Sequence, residues 1–153
     1  MPSLLPNEEE TLPKQPFQNQ LSLNGLQVLV VDDNEDNLFL ATFIFEQCQA
    51  KIKTATCVDK ALEVIEEWQP DIIICDIFMP EKDGYALIRC LRDKEVKTGG
   101  FIPALALTSY ISPETFSTAI DAGFQKIILK PFDFDELIAV AAHLIYAHRP
   151  AAY

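Results

Sequence analysis

Ile72-Ile73-Ile74-Cys75-Asp76-Ile77-Phe78-Met79-Pro80 is the stretch on which the fold turns. Three consecutive β-branched isoleucines and a cysteine are too apolar for a strand with one wet face. The run therefore predicts a central strand of a parallel sheet, covered on both sides. It ends in a carboxylate. Open α/β sheets bind ligands in the crevice beyond the carboxyl ends of their strands, so Asp76 belongs at that edge, and Met79-Pro80 turns the chain out of the strand. Asp76 is accordingly placed where a ligand would meet it.

Working outward, short apolar runs alternate with segments of helical period. Val28-Leu29-Val30-Val31 predicts a first strand running into Asp32-Asp33. Asn34 is placed to cap a helix with Leu38, Ala41, Thr42, Phe45 and Cys48 at i, i+3, i+4, i+7 spacing. Ile52 to Ala55 is a short second strand, after which Asp59 is expected to cap a helix carrying Leu62, Ile65 and Trp68, ended by Pro70.

Past the Asp76 strand and the Met79 to Asp83 loop, a helix begins near Gly84 with Leu87, Ile88 and Leu91 inward, and Thr98-Gly99-Gly100 breaks it. Ile102 to Leu107 predicts a fourth strand with Thr108 at its end. Ser112-Pro113 opens a helix with Phe116, Ala119 and Ile120 inward, closed by Gly123. Ile127-Ile128-Leu129 is a fifth strand that delivers Lys130-Pro131 to the same edge. Asp133 and Glu136 have capping-box spacing for a last helix with Leu137, Val140, Ala141 and Leu144 inward. Beside that stripe lie Ile138, Ala142 and Ile145, read either as further core or as a partner or dimer face. Five βα units imply a parallel sheet with right-handed crossovers and helices on both faces.

Composition narrows the function. The 153 residues are 49% hydrophobic, enough for one domain with a sizeable core. A formal charge of -11 argues against a direct nucleic-acid interface, which needs clustered Lys and Arg. Cys48, Cys57, Cys75 and Cys90 form no C-x-x-C pair and read as buried free thiols in a reducing compartment. His143 and His148 have no partner at metal spacing and read as surface histidines. The N-terminal Met-Pro-Ser-Leu-Leu-Pro has no basic residue and no long apolar run, and no segment has the length of a membrane span, so a cytoplasmic protein without membrane insertion is expected. Residues 1–24 hold four of the ten prolines and Glu8-Glu9-Glu10, and read as a flexible tail, with docking through Phe17, Leu21 or Leu23 as the alternative. The folded domain is expected over 25–148, with a C-terminal tail over 149–153.

Asp32-Asp33, Asp76, Thr108 and Lys130 all fall at strand ends. Three carboxylates in one crevice repel one another, and a hard divalent cation with oxygen ligands relieves that repulsion, which points to Mg²⁺. Lys130 supplies a point charge and Thr108 a hydroxyl for phosphate oxygens. The chemistry is phosphoryl transfer to a carboxylate, in which the protein positions groups and neutralises charge.

In combination, Asp32-Asp33, Asp76 to Gly84, Leu107-Thr108 and Lys130-Pro131-Phe132 resemble the receiver domain of two-component response regulators, over roughly Leu26 to Leu144. The resemblance implies a flavodoxin-like (βα)5 three-layer sandwich with sheet order 2-1-3-4-5. It implies that Asp76 takes phosphate from a phosphohistidine on a histidine kinase or histidine phosphotransfer protein. It further implies that Asp33, Asp76 and the Phe78 backbone carbonyl hold Mg²⁺ directly and Asp32 through water. Thr108 and Lys130 would engage the phosphoryl group, and the move of Thr108 would switch binding to a downstream protein target.

Two departures stand out. Ile127 sits where many receivers carry an aromatic ring that swings inward on activation, leaving Thr108 to work with another element, for which Tyr110 is a candidate. Phe78 replaces a polar residue that in many receivers helps orient attacking water, and so predicts slow autodephosphorylation. In motif style the chain is most similar to receivers of hybrid histidine kinases and phosphorelays. The expectation is a single-domain phosphoacceptor module rather than an enzyme, acting through contacts with partners, a second copy of the chain among them. The alternatives are a receiver-like scaffold that ignores phosphorylation, and a phosphatase of the haloacid-dehalogenase type, which generally needs a second Asp where this chain has Phe78.

Overall fold

The computed structural model describes residues 21–149. Strands β1 (Gln27–Val31), β2 (Lys51–Ala55), β3 (Ile72–Asp76), β4 (Ala104–Thr108) and β5 (Lys126–Leu129) alternate with helices α1 (Glu35–Glu46), α2 (Val58–Trp68), α3 (Gly84–Thr98), α4 (Pro113–Ala122) and α5 (Phe134–Ala147). Every strand pair is parallel, in the order β2-β1-β3-β4-β5. The flavodoxin-like arrangement expected from the motifs is the one observed.

Side-chain alternation along the strands splits the core into two layers. Val28, Val30, Ile72, Ile74, Leu105 and Leu107 meet α1 and α5 on one face, while Leu29, Val31, Ile73, Cys75, Ala104 and Ala106 meet α2, α3 and α4 on the other. Ile72, Ile73 and Ile74 have no exposed surface, and burying each contributes roughly 1.5–3 kcal/mol. Asp76 is thus carried by a strand anchored on both faces of the sheet. At the β2 edge, Lys51 and Lys53 are exposed, charges that discourage pairing with another sheet.

Most helix starts follow their sequence signals. Asn34 accepts from the Asn37 backbone N–H (3.1 Å), Asp83 from that of Ala86 (2.9 Å) and Ser112 from that of Thr115 (3.1 Å). Two differ. Cys57, not Asp59, occupies the cap position of α2 and makes no side-chain cap bond. Asp59 lies in the first turn, where its charge suits the helix dipole, and pairs with Lys82 at 2.9 Å. Asp133 caps α5 through the Asp135 N–H at 3.4 Å, but no reciprocal bond from Glu136 is found.

Packing corrects three further expectations. Phe116 and Ile120 are exposed, because α4 turns the small residues Thr115, Ala119 and Ala122 toward the core, one position around from the larger pair. Ala142 and Ile145 are fully buried and Ile138 is packed against the core, so these three form no partner face. Helix α5 is covered twice, by the sheet and by the N-terminal arm. Leu23 is 3% exposed, Leu21 packs against the same cluster, and the Tyr146 hydroxyl donates to the Ser22 carbonyl at 2.8 Å. Packing onto the core therefore extends to residues before 25, through Leu21 and Leu23; Phe17 lies outside the described residues, as do 150–153. Of the four cysteines, all free, only Cys75 is buried; Cys48 and Cys90 are half-buried and Cys57 is exposed.

Candidate functional site

Parallel strands bring their carboxyl ends to one edge, where β1, β3, β4 and β5 deliver the polar residues singled out above. Asp32 follows β1, its backbone N–H donating to the Ala55 carbonyl at 3.1 Å. Its side chain is almost wholly enclosed. One carboxylate oxygen accepts from the Asn34 backbone N–H (2.9 Å), the other from Asn37 Nδ2 (3.1 Å) and Lys130 Nζ (3.2 Å). Asp33, by contrast, is exposed.

Carboxylate oxygens of Asp32, Asp33 and Asp76 lie within 4.8 Å of one another. Lys130 Nζ stands 3.8 Å from Asp76 Oδ1, so a single ammonium faces both enclosed acids. Burial pushes the Asp76 carboxyl up to about 6; Lys130 pulls it down, Asp32 and Asp33 push it further up, and the Phe78 backbone N–H favours its charged form. One ammonium against three carboxylates leaves an excess of negative charge. Three hard oxygen donors with no sulfur or imidazole among them fit an oxygen-seeking divalent cation such as Mg²⁺.

Lys130 is fixed by its main chain, whose N–H donates to the Thr108 carbonyl at 2.7 Å, and its bond to Pro131 is cis. Thr108 is fully buried. Its hydroxyl faces the main chain of Tyr110, at 3.3 Å from both the N–H and the carbonyl oxygen. Tyr110 itself is 59% exposed, and Ile127 is half-buried against the α2–α4 layer. Phe78 is half-exposed and meets Tyr85 edge-on, with ring centroids 6.4 Å apart. His143 and His148 are exposed and far from metal-like company; His148 Nδ1 lies 2.9 Å from the Leu144 carbonyl.

Two residues have supporting roles that the sequence reading did not assign, although it placed Gly84 at the helix start. Asn37 orients Asp32 from the first turn of α1, but an asparagine one turn after a cap looks like any surface polar residue. Gly84 opens α3, its N–H donating to the Ile77 carbonyl at 2.8 Å, and a Cβ there would lie 2.6 Å from the Asp76 carbonyl oxygen. Only glycine lets the helix approach that closely.

Residues 28–142 match the family of response regulator receiver domains. The chain belongs to that family. Receiver domains are signalling modules of two-component systems rather than conventional enzymes. Among relatives, the chain is 35% identical over 131 residues to an uncharacterized 14.6 kDa protein of Leptolyngbya boryana, covering 86% of this chain and 98% of that one. It is 35% identical over 125 residues to hybrid signal transduction histidine kinase D of Dictyostelium discoideum, covering 78% of this chain but only 8% of the kinase. Against solved structures, it superimposes on the chemotaxis protein CheY4 of Vibrio cholerae with a TM-score of 0.73 at 25% identity, over 78% of this chain and 98% of the other. The receiver domain of a Pseudomonas aeruginosa sensor histidine kinase, with magnesium coordinated in its active-site cleft, gives a TM-score of 0.72 at 25% identity, over 80% and 98%. None of the helices described is long and apolar enough to cross a membrane.

Proposed function

We propose that Asp76 accepts a phosphoryl group from a phosphohistidine on a histidine kinase or phosphotransfer protein, and that the phosphorylated receiver changes its affinity for a downstream protein. The observation that carries this is the gathering of three carboxylates and one lysine at the strand edge, where Asp76 is enclosed, unlike Asp33, and receives no side-chain hydrogen bond among the described residues, unlike Asp32. In the transfer, an oxygen of Asp76 bonds to phosphorus as the phosphorus–nitrogen bond to the imidazole breaks, and the electron pair stays on the imidazole. Asp33, Asp76 and the Phe78 carbonyl would hold Mg²⁺ directly and Asp32 through water. Magnesium, when bound, neutralises charge on the acids and the transferred group. Lys130 pairs with a phosphoryl oxygen, and Thr108 gives up its Tyr110 contacts to donate to another.

This assigns a cytoplasmic phosphoacceptor module acting through contacts, without an enzymatic turnover of its own beyond self-phosphorylation and slow hydrolysis. The absence of an aromatic at Ile127 favours a second reading, a scaffold whose binding ignores phosphate. Purified protein with acetyl phosphate separates the two. Mg²⁺-dependent gain of one phosphoryl unit by wild type and none by Asp76→Asn supports the proposal; equal labelling of both removes it. A target affinity that phosphorylation leaves unchanged favours the scaffold.

A further inference from the structure

Beside the acid cluster lies a cavity of about 430 Å³ between α1 and the segment from Lys130 to the start of α5. Its floor is the sheet face at Val30, Ile74 and Leu107, and its walls include Ala41 from α1 and Phe134 from the first turn of α5. Ala41 helps keep this space open, where a larger side chain would project into it. Leu40 and Phe134, 39% and 44% exposed, flank the opening. The volume lies within the roughly 300–1,000 Å³ usual for small-molecule sites, and the lining is mainly apolar.

One end of the cavity is different. Asp32, Asp76 and Lys130 line it, giving two acids and one ammonium. The acids are not equivalent. Both oxygens of Asp32 are engaged by Asn34, Asn37 and Lys130, whereas Lys130 stays 3.8 Å from Asp76, beyond hydrogen-bond distance. Asp76 therefore keeps acceptor capacity at the end of an apolar chamber, in a site whose charge remains negative when Asp33 is counted.

We infer that this cavity binds a small amphipathic monocation, an aromatic or branched apolar body bearing one primary amine, with the body between Leu40 and Phe134 and the ammonium on Asp76. Burying the body supplies the non-directional part of affinity, and the charge-assisted bond to Asp76 selects the amine over a neutral or anionic head. The occupant would shield Asp76 and compete with a divalent cation for its carboxylate. The site exists in the unphosphorylated protein and does not depend on Asp76 ever receiving a phosphoryl group.

The test uses protein freed of divalent cations, titrated with phenethylamine, phenethyl alcohol and hydrocinnamate while amide resonances are followed. Saturable shifts at Leu40, Ala41 and Lys130 are expected with the amine, about tenfold tighter than with the alcohol and tighter still than with the carboxylate. Mg²⁺ should weaken the amine, and the cavity-filling variants Ala41→Leu and Leu40→Trp should abolish its shifts while resonances on the far side of the sheet stay in place. No saturable shifts with the amine, or equal binding of all three compounds, overturns the assignment, as do shifts that persist in a folded variant with the cavity filled. If neither variant folds, the compound series decides alone. Acetyl phosphate labelling of the same preparation keeps the two proposals apart, since labelling without amine binding removes only this one.

Discussion

Gly84 stands so close to Asp76 that a methyl group at its Cα would lie 2.6 Å from the Asp76 carbonyl oxygen and 3.0 Å from Ile77 Cα. Both obstacles are backbone, so neither yields as a flexible side chain would. Gly84→Ala should shift the end of β3 and cost about 1–3 kcal/mol of stability, as overpacking does. Denaturant unfolding checks the loss, and labelling by acetyl phosphate should slow with it. A variant as stable and as readily labelled as wild type would show that the close approach is unimportant.

Asp76 makes stability depend on pH. Its folded pKa of about 6 lies above the roughly 3.9 of an unfolded aspartate, so the folded state holds the proton more tightly. Stability from that preference is complete below pH about 4 and is lost as pH rises through about 6, after which the deficit is constant. Without divalent cations, Asp76→Asn should be more stable than wild type by on the order of 1–2 kcal/mol at neutral pH, with no advantage near pH 4. Thermal melts across that range measure it. Greater stability of wild type at neutral pH would contradict the charge-crowded pocket.

Phe78, two residues after the acceptor, is half-exposed and packs edge-on against Tyr85, and its ring is expected to shield an acyl phosphate on Asp76 without offering a polar atom to water. The phosphorylated protein should last minutes or longer in Mg²⁺. Phe78→Asn should shorten that lifetime about tenfold, equivalent to roughly 1.4 kcal/mol in the barrier. Decay followed by intact mass measures both; a wild-type lifetime of seconds would refute the shielding.

The thiols should separate by exposure. Cys57 is exposed at the start of α2, whereas burial, reinforced by Asp76, pushes the Cys75 thiol well above its usual range. An alkylating reagent should modify Cys57 first and leave Cys75 untouched until the protein unfolds. Rapid loss of the Cys75 thiol in native buffer would mean that β3 opens readily.

Much of this architecture was legible because two independent signals coincided. The run at Ile72–Ile74 marked a buried central strand, and carboxylates, a threonine or a lysine at the ends of four apolar runs marked one edge. Stripes on helices were less decisive. Phe116 and Ile120 share a face as regular as that of Thr115 and Ala119, and periodicity cannot say which one the sheet receives when the buried residues are the small ones. Ile138, Ala142 and Ile145 looked surplus to one core face because the second cover, the arm carrying Leu23, made no pattern of its own. Asn37 and Gly84 act through single contacts with Asp32 and Asp76, relationships that spacing does not encode.

The central claim is that the Asp76 carboxylate takes up a phosphoryl group with the help of a divalent cation. Acetyl phosphate treatment with and without Mg²⁺, followed by borohydride reduction and peptide mapping, measures this directly. Reduction of an acyl phosphate converts that aspartate to homoserine. The account predicts conversion at Asp76 alone, dependent on Mg²⁺, and none in Asp76→Asn. Conversion at another carboxylate, or an unmodified Asp76 in protein that Mg²⁺ demonstrably stabilises, would contradict it.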